Sequence, residues 1–216
     1  MSNSLPTVLV LISTYNGEKY LNEQLNSLIA QKNVELSLLI RDDGSSDNTA
    51  NLLRDFQANN KKNNNIILKL ESNVGCVNSF MNLMKLASTQ KTTYDYYAFC
   101  DQDDVWLENK LEVAVSKLQK FNQNSPGLYF SHVQLVDQNL KEMLSPKKKL
   151  KCSFGESMVI NGAVGCTMVF NRKLLQSISK YSPSFILMHD GWVYRVCMAI
   201  GGNVFYDENS YILYRQ

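Results

Sequence analysis

Four short apolar runs constrain this chain more than any other feature, because three of them end in polar clusters and each is followed by a helical repeat. Thr7–Ser13 (TVLVLIS) is the first, Leu36–Ile40 (LSLLI) the second, Ile66–Leu70 the third and Tyr96–Cys100 (YYAFC) the fourth. A run that is apolar at successive positions reads as a strand buried on both faces. Between the runs, Leu21, Leu25, Leu28 and Ile29 recur at helical spacing, then Leu52, Leu53 and Phe56, then Val77, Phe80, Met81 and Met84. Leu107, Leu111, Ala114, Leu118 and Phe121 complete the series, with a helix expected from Trp106, and Asn63-Asn64-Asn65 breaks the pattern ahead of the third strand. Four strand–helix units in series imply an α/β fold, with a mostly parallel sheet and helices on both faces. Such sheets bind ligands beyond the carboxyl ends of their strands.

The second half is less regular. Leu128–Val136 reads as a strand that turns at Asp137-Gln138-Asn139, and Gly165–Asn171 as a strand leading into a short helix from Arg172. His189–Ile200 reads as a helix stopped by Gly201-Gly202. Val204–Tyr206 and Tyr211–Tyr214 are expected as two closing strands. With no repeat and no linker, the 216 residues are expected to form one domain.

Composition narrows the function classes. At 44% hydrophobic and 19% charged the chain is not of the disordered type, and a net charge of +2 makes no case for nucleic-acid binding. The five cysteines, at 76, 100, 152, 166 and 197, include no CxxC pair, which leaves a zinc site unsupported. Unpaired cysteines beside apolar residues point to a reducing compartment, and the expected location is the cytoplasm. Val8–Ile12 is too short to cross a bilayer and lacks the basic flank of a signal peptide.

The chemistry gathers at the strand ends. Asp101-Gln102-Asp103-Asp104 puts three carboxylates within four residues, an arrangement stable only with a cation or full solvation. Oxygen ligands without histidine point to Mg²⁺ or Mn²⁺; the plainer alternative is an acidic turn capping the next helix. Asp42-Asp43-Gly44-Ser45 ends the second strand, where acidic residues often serve as caps. Tyr15, after the adjacent first strand, gives an aromatic face beside that carboxylate, a pairing that suits a planar base. His189-Asp190 opens a helix and is open to the same capping reading, and the glycines of Gly162–Cys166 permit either a close approach to substrate or a plain turn. Neither a GxGxxG nor a GxxxxGK[ST] phosphate loop is present.

Ser13-Thr14-Tyr15-Asn16, Asp42-Asp43-Gly44-Ser45-Ser46-Asp47, Asn73-Val74-Gly75 and Asp101-Gln102-Asp103-Asp104-Val105-Trp106 occur in this order, followed by Gly162–Thr167, His189-Asp190 and Tyr214-Arg215-Gln216. The series resembles family 2 glycosyltransferases with the GT-A fold over nearly the whole chain. The DQDDVW form and the late His-Asp pair resemble bacterial rhamnosyltransferases of surface-polysaccharide synthesis. The resemblance implies a Rossmann-like nucleotide-sugar-binding half over about residues 1–121 and an irregular acceptor-side half over 122–216. It implies that Thr14, Tyr15, Asn16, Asp42, Asp43, Asn73, Gly75, Asp101 and Gln102 surround a UDP- or dTDP-sugar, with Asp42 accepting the base N3–H. Asp101 would face the ribose, Asp103 would hold Mg²⁺ or Mn²⁺ with Asp101, and Asp104 would support them. Asp190 would be the general base and His189 its supporting residue. The implied reaction is inverting transfer of rhamnose or another hexose to a hydroxyl of a growing or lipid-linked glycan.

Two other classes fit parts of the pattern. A nucleotidyltransferase also uses acidic metal ligands, but Ser13–Lys19 (STYNGEK) is a poor phosphate loop. A non-catalytic sugar-nucleotide-binding domain would keep the donor residues without turnover. The family usually continues past the Tyr-Arg pair, so the chain is expected to be the catalytic core of a longer protein. Lys147, Lys148, Lys149 and Lys151 form a basic loop, which is either solvated or in weak peripheral contact with anionic lipid.

Overall fold

The computed structural model describes residues 4–60, 65–147, 149–181 and 183–216. Asn63, Asn64 and Lys148, singled out above, lie outside the described residues. The first half follows the expected alternation: β1 (Thr7–Thr14), α1 (Leu21–Ile29), β2 (Glu35–Asp42), α2 (Thr49–Asn60), β3 (Asn65–Leu70), α3 (Cys76–Thr89) and β4 (Tyr96–Cys100). The rest comprises β5 (Val105–Trp106), α4 (Lys110–Leu118), β6 (Gly127–Val136), α5 (Phe154–Val159), a 3₁₀ turn (Gly165–Thr167), β7 (Val169–Asn171), α6 (Arg172–Ile178), α7 (His189–Ala199) and β8 (Asn203–Arg215).

The strands form one sheet in the order β3-β2-β1-β4-β7-β6-β8-β5. β3, β2, β1 and β4 pair in parallel, as do β6 and β8, while β7 and β5 run antiparallel to their neighbours. Alternation along β1 sends Val8, Val10 and Ile12 to one face, where Leu21, Leu25, Leu111 and Leu118 of α1 and α4 cover them. Leu9 and Leu11 face the other side, under Phe80 and Leu83 of α3, Leu174 of α6 and Val193 of α7. Burial on both faces is why β1 carries no polar alternation. It also leaves the carboxyl edge of the strands as the place where polar groups collect.

Three local expectations fail for identifiable reasons. No helix starts at Trp106: Val105 and Trp106 pair with Leu213 and Ile212 of β8, the Trp106 amide donates to Ser27 Oγ at 3.1 Å, and α4 waits until Lys110. The stretch from Gly165 is not strand throughout, because Thr167 Oγ1 and the Thr167 amide both bond back to the Val164 carbonyl and close a turn. The two closing strands are one strand. Its register against β6 skips from Ser131↔Asp207 to His132↔Ser210, so Glu208 and Asn209 bulge out while Asp207 Oδ1 accepts the Asn209 amide.

Candidate active site

The carboxyl ends of β1, β2 and β4 lie side by side and open into a cavity of about 670 Å³. Thr14, Tyr15, Asp43, Asn73, Gly75, Asp101, Gln102 and Asp103 line it from the first half of the chain. Gly165, Met188, His189, Asp190 and Tyr214 line it from the second. Of the expected residues Asn16, Asp42 and the supporting Asp104 are absent from that wall. A cavity of about 480 Å³ at the opposite end of the strands, beside Pro6 and Asp95, gathers none of these groups.

Asn16 and Asp42 organise the turns behind the wall. Asn16 sits at φ +49°, and its side chain accepts the Ser46 amide at 2.9 Å, a local bond that makes asparagine suited to this backbone region. Asp42 is buried at 2% exposure. Its Oδ1 accepts the Thr14 and Ser45 hydroxyls at 2.8 and 2.6 Å, and its Oδ2 accepts the Ser45 amide at 3.0 Å. Asp43 reaches the cavity instead, since adjacent residues at a strand end point to opposite sides. Arg41, also buried, pairs with Asp43 Oδ1 and bonds Ser79 Oγ and the Ser72 carbonyl. The Val74 and Gly75 amides donate to Asp43 at 2.9 Å each, so one carboxylate ties β2 to the loop before α3. Gly44 has φ +77°, and a Cβ there would stand 3.0 Å from the Asn73 nitrogen, so glycine is required for this crossing.

Gln102 fixes Tyr15. The Tyr15 amide donates to its Oε1 at 2.8 Å, and its Nε2 donates to the Tyr15 carbonyl at 3.0 Å. The phenol ring stays half exposed over the cavity.

The acidic turn divides its carboxylates. Asp101 and Asp103 line the cavity, whereas Asp104 is 1% exposed and accepts the Arg215 amide at 3.1 Å. Asp104 Oδ2 has only the weakly donating Cys166 thiol as company. Burial, then the neighbouring carboxylates, push Asp101 up to about 6 and Asp104 up to about 7; burial also raises Asp103. Crowded acids in this state favour a bound cation. Asp101, Asp104 and Cys166 bring ligand atoms within 4.8 Å of one another; burial keeps the Cys166 thiol protonated, so the oxygen donors suited to a hard divalent ion are the carboxylates, of which Asp101 and Asp103 line the cavity. Arg215 holds the turn from far along the chain: Nε donates to the Asp103 carbonyl at 2.8 Å, one terminal nitrogen to the Gln138 carbonyl at 2.6 Å, and the other pairs with Glu23 at 2.5 Å.

From the second half of the chain, Asp190 joins the cavity lining at the start of α7. Oδ1 accepts Asn161 Nδ2 at 3.0 Å and the Gly191 amide at 2.5 Å, and Oδ2 accepts the Gly165 amide at 3.1 Å. His189 is stacked on Phe80 with centroids 4.0 Å apart and meets Phe99 edge-on at 4.9 Å. Both its ring nitrogens are buried without hydrogen-bond partners, and burial pulls its pKa down to about 4, so the ring is neutral at pH 7. Asn161 and Arg41 carry no motif signal that would have marked them, and each is found only through its partner; Arg215 belongs to the terminal Tyr-Arg motif, but its hold on the acidic turn shows only in the structure.

The mixed α/β sheet with its cavity at the carboxyl edge matches the GT-A class of glycosyltransferase fold. Among solved structures, Staphylococcus aureus TarS 1–349 in complex with UDP-GlcNAc matches with a TM-score of 0.72 at 18% identity, over 97% of this chain and 58% of that one. A mannosyltransferase from Pyrobaculum calidifontis, in complex with GDP-Man and Mn²⁺, matches with a TM-score of 0.66 at 19% identity, over 94% of this chain and 55% of that one.

Residues 9–179 match the model of glycosyl transferase family 2, and the chain belongs to that family. It is 31% identical over 211 residues to the dTDP-rhamnosyl transferase RfbG of Shigella flexneri, covering 95% of this chain and 71% of that protein. It is 27% identical over 175 residues to an Escherichia coli UDP-Glc:alpha-D-GlcNAc-diphosphoundecaprenol beta-1,3-glucosyltransferase, WfgD, covering 80% of this chain and 63% of that protein. The chain therefore spans between about three fifths and seven tenths of these two relatives. Family membership removes the nucleotidyltransferase alternative. Among the described residues, no helix is long and apolar enough to cross a membrane.

Proposed function

We propose that the chain catalyses inverting transfer of rhamnose or another hexose from a UDP- or dTDP-sugar to a hydroxyl of a surface or lipid-linked glycan. One observation carries the reading. Asp190, brought by α7 from the second half of the chain, lines the same cavity as Asp101 and Asp103 from the end of β4. A donor diphosphate and an attacking hydroxyl can thus be held by carboxylates from different elements within one cavity. The rhamnosyl and glucosyl transfers named for the two relatives agree with that substrate class.

In this reading Tyr15 stacks on the base. The base N3–H is accepted by the carboxylate pair at the end of β2: Asp43 stands on the cavity wall and Asp42 directly behind it, Asp42 already serving Thr14 and Ser45, and Asp43 serving Arg41, Val74 and Gly75. Asp101 faces the ribose, and Asp103 with Asp101 would hold Mg²⁺ or Mn²⁺. When bound, the ion supplies Lewis-acid stabilisation of the charge that develops on the departing diphosphate. Asp190 takes the acceptor O–H proton as that oxygen bonds to the anomeric carbon. The bond from that carbon to the phosphate oxygen breaks, and the nucleoside diphosphate departs with the electron pair. Gly165 and Asn161 hold the Asp190 carboxylate in place, and His189 packs beside it as a neutral support.

A thermal-shift panel with Mn²⁺ tests the donor. UDP- or dTDP-sugars should raise the melting temperature by mass action, and CMP-sugars, which lack N3–H, should not. EDTA should remove the shift. Tight CMP-sugar binding, or an unchanged shift in EDTA, would refute the assignment. The anomeric configuration of the transferred sugar, read by NMR, tests inversion.

A further inference from the structure

We propose that the rim on the Asp190 side of the cavity is a docking surface for an anionic lipid bilayer. Two segments form it. The first runs through α5, where Met158, Val159 and Ile160 are 58%, 83% and 49% exposed. The second leads into α7, where Phe185, Leu187 and Met188 are 76%, 74% and 43% exposed. Single exposed apolar side chains are ordinary; six on two adjoining segments are not. The segments are joined at the site. α5 packs on α7, Arg195 Nε of α7 donates to the Ser157 carbonyl at 3.0 Å, and Asn161, next to Ile160, donates to Asp190. Met188 is itself part of the cavity wall.

Charge selects the occupant. Residues 143–160 carry four lysines against one glutamate. Lys147, Lys149 and Lys151 are exposed, and Glu156 is drawn inward to accept the Cys152 amide at 2.8 Å. Leu150, between two of these lysines, packs against Gly162, so the basic loop lies along the apolar rim. Exposed apolar side chains flanked by lysines match a layer with anionic headgroups above acyl chains. Phe185 also lines a cavity of about 480 Å³ with Val77, Met81 and Ile178, so it is the flanking lysines rather than the shape of the surface that select lipid over a protein partner. The placement rests on the proposed function in one respect: a bilayer here would present a lipid-linked acceptor to Asp190. Vesicle binding itself needs neither donor nor turnover.

The test is flotation of the chain with phosphatidylcholine vesicles, with and without added phosphatidylglycerol. The wild type should float with anionic vesicles, and each Lys→Ala change at 147, 149 or 151 should weaken binding by about fivefold. The triple variant Val159→Ser, Phe185→Ser, Leu187→Ser should lose vesicle binding even at low salt, while its melting temperature and its shift with a nucleotide sugar stay as in the wild type. A wild type that stays unbound with both vesicle types overturns the proposal, as does a triple variant that floats like the wild type. If sedimentation velocity shows a concentration-dependent dimer that the serine changes abolish while vesicles are ignored, the surface is a self-association face and the lipid assignment is wrong.

Discussion

Replacing Asp190 by asparagine separates its proposed role as proton acceptor from its observed place as a hydrogen-bond hub. The amide keeps the side-chain shape and removes the basicity. Loss of a general base costs about 10²–10⁴ in turnover, or about 3–5 kcal/mol of barrier at 1.36 kcal/mol per decade. The hydrogen bonds set a second cost. Asp190 receives three donors, from Asn161, Gly191 and Gly165. An amide oriented with its oxygen toward Asn161 and Gly191 turns its NH₂ on the Gly165 N–H, donor against donor. The reverse orientation opposes two donors. The better choice still leaves a buried N–H unpaired, at about 1–3 kcal/mol. For a chain of this size each kcal/mol lowers the melting temperature by about 2–4 °C.

The variant should therefore melt a few degrees lower, bind donor with nearly unchanged affinity and turn over at least about 100-fold more slowly. Initial rates at saturating donor and acceptor, measured well below the melting point, give the kinetic effect; calorimetry gives donor affinity. Transfer at the wild-type rate would refute the base assignment. Loss of transfer in His189→Phe with normal transfer in Asp190→Asn would move the base to His189. The structure argues against that outcome, because the histidine nitrogens are buried behind Phe80 and Gly165 and the ring resists protonation.

Arg41→Met should be costly, because it leaves buried Asp43 without its ion partner and removes bonds to Ser79 and Ser72; about 3–5 kcal/mol is expected by chemical denaturation. Pairing it with Asp43→Asn removes the unpaired charge while keeping an acceptor for the loop amides, so part of the stability should return but not donor binding, and a double variant no more stable than Arg41→Met would contradict the account. Gln102→Ala frees the Tyr15 backbone, and donor KM should rise by about fivefold, the worth of one hydrogen bond of ~1 kcal/mol, with kcat changed less; an unchanged KM would show that Tyr15 does not depend on the clamp. His189, pulled down to about 4 from its usual 6.5, contributes stability that is present above pH 6.5 and lost as pH falls through 4. Asp101 and Asp104, raised by burial, act with the opposite sign in the same window, so the observable is the difference between wild type and His189→Phe, which should change by on the order of 3 kcal/mol between pH 7 and pH 4. Parallel stability curves for the two proteins would show that the histidine is not buried neutral.

The sequence reveals this fold where local physics decides it and hides it where partners are distant. TVLVLIS can only be a strand covered on both faces, and the order of strand-end clusters follows from the parallel sheet. Trp106 carries a helical pattern onward from Leu107, yet Ser27 and β8 capture its backbone, and nothing near residue 106 announces a strand that ends 100 residues later. Asp42 and Asp43 show the same gap at finer scale. Their types are equivalent as text, and one step along the strand end decides which of them meets the cavity. That step depends on which face of β2 the helices cover, a property of the assembled sheet.

The acidic turn shows why its supports lie so far away in the chain. Three carboxylates in four residues repel one another, and burial raises the cost. A local solution would be solvation, which would open the cavity. The fold instead gives each acid a different environment. Asp104 turns inward to the Arg215 amide, and Arg215 spends its guanidinium on the Asp103 carbonyl, Gln138 and Glu23 rather than on any of the three carboxylates. A guanidinium paired with Asp103 would have supplied the neutralising charge permanently and competed with a cation. Among the described residues neither Asp101 nor Asp103 has an ion pair in direct contact, Arg215 acting on Asp103 only through space and the Cys166 thiol being a weak donor to Asp101, so most of that charge deficit stays available to whatever binds there. The arrangement gives up stability in the empty state, and that is the expected cost of a site preorganised for a positively charged ligand.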